Sequence, residues 1–191
     1  MDSKILFTRV LDQITECVLT IETKQLDRPT PCSEWNLRQL LNHTVYELLW
    51  MPDLLGGKTV AQVGTKYDGD VLGSGIQISW QGAAEAAEAA VEKARLSDMV
   101  HLSSTEKTVD KYIEEMAMEI LVHGWDICQS LGYSLLFEPD VAQAVYDSTL
   151  PHKDEMVEAG MVKDPIDVPE DSPVEVKLLG IMGRSVEGWQ A

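Results

Sequence analysis

The sequence predicts an all-α fold: a four-helix bundle with a short C-terminal helical extension. Three observations predict it. Four long segments repeat apolar residues at helical spacing. Prolines and glycines punctuate the joints between them. Two segment starts carry helix-initiation signatures, Asn36 with Gln39 and Ser172 with Pro173. A chain of 191 residues, 45% of them hydrophobic, can bury one core, so residues 1–191 read as a single domain.

Residues 3–23 read as the first helix, because Ile5, Val10, Ile14, Val18 and Ile21 keep helical spacing. Residues 26–32 are a loop, since Pro29 and Pro31 do not fit inside a helix. Asn36 caps the second helix, and Gln39 completes a capping box. Its apolar stripe is Leu37, Leu40, Leu41, Thr44 and Leu48, with His43 and Glu47 one turn apart on the border. Pro52 and then Gly56-Gly57 close it. Residues 57–75 form a connection longer than most helix–helix loops. The third helix covers 76–95, and its alanine-rich centre at 83–90 combines high helix propensity with small side chains that permit close approach.

Residues 97–104 are a loop with scope for an extended stretch. The fourth helix spans 108–131, with Val109, Tyr112, Ile113, Met116, Ile120 and Ile127 as its stripe and Gly132 as its stop. A short helix follows at 140–150, then mostly loop from 151 to 171. Ser172 as N-cap and Pro173 at the first helical position start a last helix, 174–182, ended by Gly183.

Composition excludes several classes. A formal net charge of −17 argues against nucleic acid as a partner, because phosphate binding needs a positive surface. No apolar run approaches the roughly 20 residues of a membrane span. The N-terminus lacks the layout of a signal peptide, so the expected location is cytoplasmic. Cys17, Cys32 and Cys128 are an odd, sparse set without a CxxC pair. They argue against both a disulfide framework and a cysteine-based zinc site.

The chemistry concentrates in the fourth helix. Glu119 and His123 lie one turn apart, His123 inside the apolar stripe and Glu119 at its edge. A buried carboxylate needs a partner. A metal ion is one, and His43 on the second helix is available as a third ligand. Such a His/Glu/His set suits zinc with an open position for water or substrate, and also nickel, iron or manganese. The alternative is an ordinary i,i+4 pair with a satisfied histidine.

Glu47 and His101 are the candidate acid–base groups. Trp35 and Trp125 either line a pocket or pack in the core. Asp126 could orient His123, cap the helix or make a surface ion pair. Arg184 could bind an anionic substrate or cap the last helix. Cys32 reads as a structural thiol, and Met51, Met116 and Met118 as core.

Three ordered motifs carry a resemblance that covers nearly the whole chain. Residues 30–43, from Thr30-Pro31-Cys32 through Trp35 to Leu40-Leu41-Asn42-His43, resemble a TPCxxWxxRxLLxH segment. Val122-His123-Gly124-Trp125-Asp126-Ile127 resembles VHGWDL. Val168-Pro169-Glu170-Asp171-Ser172-Pro173, with Leu178-Leu179-Gly180 and Gly183-Arg184, resembles a closing VPxDA…LLxxLGR motif. These are motifs of the mycothiol-dependent maleylpyruvate isomerase N-terminal-type proteins, in their single-domain branch, within the wider DinB/YfiT-like metal-binding superfamily.

The resemblance implies a DinB-like bundle with a divalent metal near one end, and His43, Glu119 and His123 match the three ligand positions. It implies Zn2+ as cofactor, a mycothiol- or bacillithiol-type low-molecular-weight thiol as co-substrate, and a thiol-dependent transferase or isomerase acting on a small molecule. A monomer or homodimer is expected. The chain departs from the pattern in two places. It ends at Ala191, before the second domain that helps maleylpyruvate isomerases bind substrate, which argues against that isomerisation itself. It also carries Glu47 where many relatives have a small residue. A non-catalytic metal-binding or stress-related protein, and a metal-dependent hydrolase, remain as alternatives.

Overall fold

The computed structural model describes residues 1–103, 105–133 and 137–186. It is all-α apart from one two-stranded hairpin. Helix α1 is Ser3–Val18, started by the Asp2 carboxylate, which accepts from the Lys4 and Ile5 amides at 3.0 and 3.3 Å. It ends earlier than the periodicity predicts. The Thr20 hydroxyl donates to the Cys17 carbonyl at 2.8 Å, and the chain turns there. Ile21 is still buried, so the apolar spacing past Val18 reports tertiary burial and not helix. A 3₁₀ turn, Thr23–Gln25, follows.

Helix α2 is Leu37–Leu55, and the capping box of Asn36 and Gln39 is present as predicted. Pro52 lies in its last turn, where the helix forgoes the bond to the Leu48 carbonyl, and Gly56 ends it. The 57–75 connection contains one helical turn, α3 (Val60–Val63), capped by Thr59. Helix α4 is Ile76–Lys93. Strands β1 (Met99–His101) and β2 (Glu106–Thr108) pair antiparallel, Met99 opposite Thr108, which realises the expected extended stretch. Ser104, at the end of the predicted loop, lies outside the described residues.

Helix α5 is Val109–Ser130, with Thr108 as N-cap. Gly132 follows at φ +81°, a left-handed stop that suits glycine. Helix α6 is Pro139–Thr149. Where the sequence predicts mostly loop after Pro151, the chain forms a 3₁₀ turn (Leu150–His152) and helix α7 (Lys153–Glu158). Pro151 sits at the start of that turn, where no N–H is required, so it opens helical structure and does not bar it. Helix α8 is Val174–Ile181. Its N-cap is Pro173 without a side-chain bond, so the expected Ser172 cap does not form. Among the described residues, no helix is long and apolar enough to cross a membrane.

Helices α1, α2, α4 and α5 are the bundle. Helix α1 packs on α5 and α4, and α2 on α4 and α5, so α1 and α2 occupy opposite corners. The core holds Phe7, Leu11, Ile14, Leu37, Leu40, Leu41, Trp80 and Ile113. Each such side chain contributes on the order of 1.5–3 kcal/mol by leaving water. Trp80 carries the one polar atom of its ring into this core and donates it to Thr15 Oγ1 at 2.8 Å.

The tightest contact in the bundle is at Gly124. A Cβ there would lie 2.1 Å from Ile14 Cδ1 and 2.5 Å from Cγ1, so only glycine lets α5 lie this close to α1. The same seam carries a disulfide between Cys17 and Cys128, whose Cα atoms are 6.4 Å apart. The cysteine count did not anticipate it, because 111 residues separate the pair and only helix packing unites them. The C-terminal extension packs through α8 onto α6, burying Leu178 and Leu179.

At the far end of α2, Asp53 fastens the following connection. It accepts from Lys58 Nζ and Lys66 Nζ at 2.7 Å each, and from Tyr67 Oη at 2.9 Å. The hydrogen bonds from Lys58 and Lys66 hold its carboxyl down to about 2.

Two predictions follow from this packing. Gly124→Ala gains helix propensity but forces a methyl into the immobile Ile14, so urea unfolding should show a net loss of about 1–3 kcal/mol. An unchanged or higher midpoint would mean that the α1–α5 contact yields freely. Asp53 has a folded-state pKa below its unfolded value, so its contribution is present above about pH 4 and disappears as pH falls through about 2. A carboxyl-carbon NMR titration should find that low midpoint, and Asp53→Asn should lower Tm at pH 7 but not at pH 2.

Candidate metal centre

The adjacency of α2 and α5 brings His43 to Glu119 and His123. His43 Nε2 lies 2.9 Å from Glu119 Oε1, and His123 Nε2 lies 3.2 Å from the same oxygen. The two imidazoles meet edge to face with centroids 5.2 Å apart. Their ligand atoms and the carboxylate oxygen all lie within 4.8 Å of one another, a donor set suited to a divalent ion.

The loop before α2 completes the wall. Its backbone is pinned by Leu37 N–H to Arg28 O at 2.9 Å and Arg38 N–H to Leu26 O at 3.0 Å. The Thr30 hydroxyl faces the carbonyls of Cys32 and Trp35 at 3.0 and 2.8 Å. Held this way, the Trp35 ring sits 4.6 Å from His43 and 5.9 Å from His123, centroid to centroid. Of the two tryptophans flagged in the sequence, Trp35 lies against the site, while Trp125 is buried in the core.

Each imidazole nitrogen that faces Glu119 Oε1 must carry a proton or a metal, and a neutral Nε2–H tautomer already supplies the proton. Two imidazole nitrogens pointing their lone pairs at one carboxylate oxygen would repel it, so a proton or a metal must stand between them. Without metal, protons do this. Burial opposes the His123 charge, but hydrogen bonds with Asp126 and Glu119 outweigh it and push the imidazole up to about 9. Burial likewise opposes the Glu119 charge, yet His123 and His43 hold its carboxyl well below the usual range.

Behind His123 runs a second line of polar contacts. His123 Nδ1 lies 3.1 Å from Asp126 Oδ2, and Arg184 Nη2 donates to that oxygen at 2.9 Å. Asp126 is fully buried. It orients the imidazole so that Nε2 faces Glu119, as anticipated for this residue. Arg184, from the chain beyond α8, is engaged here with Asp126. Cys32, half-buried, has its sulfur within the same 4.8 Å span of His123 and Asp126. Burial and the Asp126 charge push its thiol pKa up. The sequence held no signal for the Cys32 and Arg184 placements, because both depend on segments far from α5 in the chain.

A cavity of about 840 Å³ opens on the other side of Glu119. Glu47 lines it too, one turn beyond His43. Burial pushes the Glu47 carboxyl up, and the Glu119 charge adds to this against the pull of His43. Met51, Met116 and Met118 are buried in the core as expected, and Met116 and Met118 also line this cavity with Tyr46 and Trp50. Aromatics one turn apart on either side of Glu47 were the available signal for Tyr46 and Trp50. His101 is elsewhere: it sits on β1 with Nδ1 at 2.7 Å from Glu106 and lines neither the cavity nor the metal-capable cluster.

Residues 7–128 match the model of the mycothiol maleylpyruvate isomerase N-terminal domain. An uncharacterized protein of Mycobacterium tuberculosis, found in two strains, is 26% identical over 147 residues, covering 74% of this chain and 74% of its own length. No solved structure matches significantly. The matched span contains all of α2 and α4, most of α1 and α5, and all three residues of the His43–Glu119–His123 cluster, and the chain belongs to the mycothiol maleylpyruvate isomerase N-terminal domain family.

Proposed function

We propose that the protein binds one divalent metal ion through His43, Glu119 and His123 and acts as a thiol-dependent transferase or isomerase on a small molecule in the cytoplasm. The observation that carries this reading is the convergence of those three ligand atoms, with Glu119 also lining a cavity that holds Glu47. Zinc is the first choice, and nickel, iron or manganese also suit two nitrogens and one oxygen. Bound there, the ion would lower the pKa of a low-molecular-weight thiol and so supply a nucleophile at neutral pH.

The residues of the chain have separate tasks in this scheme. Asp126, held by Arg184, keeps His123 Nδ1 engaged and leaves Nε2 for the metal. Trp35 covers the two imidazoles on the loop side and limits water there. Glu47 is the general acid–base: its raised pKa brings it nearer the working pH, where it can take and return a proton in the cavity. The mycothiol link of the family supports thiol as co-substrate.

Elemental analysis of untagged protein should find about one metal ion per chain, lost in both His43→Ala and His123→Ala. A metal-free wild type that takes up none on titration would reduce the cluster to a buried polar network. Metal must displace the His123 proton, whose pKa is about 9, so affinity should rise as pH increases towards 9. Calorimetry of zinc binding at pH 7 in buffers of different ionisation enthalpy should register that proton release. Glu47→Gln should keep the metal but slow turnover by roughly 10²-fold or more. Mycothiol should change the visible spectrum of the cobalt-substituted protein, and an unchanged spectrum would remove the thiol step and leave a metal-binding protein or a hydrolase.

A further inference from the structure

The wall of the cavity beside Glu119 states what kind of molecule it accepts. At about 840 Å³ it has the size of a small-molecule site. Four methionines line it: Met116 and Met118 from α5, Met156 from α7 and Met161 just beyond. Thioethers of this kind adapt to ligands of different shape and favour aromatic surfaces.

The charges are arranged against an anion. Each basic side chain in the wall is already matched with an acid of the same wall: Lys107 with Glu115, Lys111 with Glu114 at 2.7 Å, and His152 with Glu155 at 3.5 Å. Among the described lining residues, no cation is left over for a substrate carboxylate. In the metal-free protein an anion reaching the inner end would also meet Glu47 and Glu119. A cation is not favoured either, because the rim acids are engaged and Glu119 is paired with His43 and His123.

We infer that this cavity binds uncharged, apolar small molecules of aromatic-ring size and discriminates against carboxylates. The inference deepens the proposed function by naming its substrate class, and it rests on the cavity being the substrate side of that site.

The test uses three matched probes on the full-length wild type at pH 7.5: 2-acetylnaphthalene, 2-naphthoate and 2-naphthylmethylammonium. Binding is followed by calorimetry and ligand-observed NMR, on zinc-loaded and on metal-free protein. In the metal-free form the neutral ketone should bind at least tenfold tighter than either charged probe, and zinc should narrow only the gap to naphthoate. Ala159→Trp, a rim substitution that fills the cavity, should weaken the ketone at least fivefold and leave metal content unchanged. Met156→Lys, which adds an unpaired cation, should shift preference towards naphthoate.

Equal or tighter binding of naphthoate or of the ammonium probe by the metal-free wild type would overturn the inference. So would no detectable binding of the ketone, or ketone affinity indifferent to Ala159→Trp. Because the probes are read with and without metal, and metal content is measured separately, failure of the metal site and failure of the cavity assignment give different results.

Discussion

Helix α5 is buried almost all round from Met116 to Cys128, and the rest of the structure is organised by that constraint. Within those residues lie Glu119, His123 and Asp126, polar groups that water cannot fully serve. Each must find its partners in the protein. Glu119 takes His43 and His123, Asp126 takes His123 and Arg184, and so α2 and the C-terminal segment are both tied to α5. The same helix presses against α1 through Gly124, one residue after His123. Shifting α5 would therefore disturb packing and site together.

This arrangement divides the labour around His123. One ring nitrogen meets Asp126 and is positioned; the other meets Glu119, where the proposed metal would act. The cavity lies on the Glu119 side, and the Asp126–Arg184 contact on the other. Orientation and chemistry are thus served from opposite faces of one imidazole, which permits a rigid support beside an adaptable, methionine-lined space. Glu47 belongs to the cavity side, and its partial desolvation is the price of a protonatable group close to the centre.

Much of the bundle was legible because helix formation is local. Amphipathic spacing, the Asn36–Gln39 box, the Thr108 start and the Gly132 stop all act within a few residues, and each appears in the structure. Errors arose where distant packing took over. Ile21 is buried without being helical, because its pattern records the core it meets. The segment after Pro151 is helical because proline begins a turn as readily as it interrupts one. The Glu119/His123 pair was visible from i,i+4 spacing, but its third member was a matter of which helix lies beside α5.

The amino-acid sequence by itself determined the all-α class, the four long helices and the pairing of Glu119 with His123, since these depend on residues within a turn or two of each other. Only the tertiary structure decided that His43 converges on that pair, that Arg184 grips Asp126, that Cys17 meets Cys128, and that the described basic residues of the cavity wall are each paired with an acid. Those features join segments tens of residues apart. Their positions are set by how whole helices pack, and no local pattern encodes that.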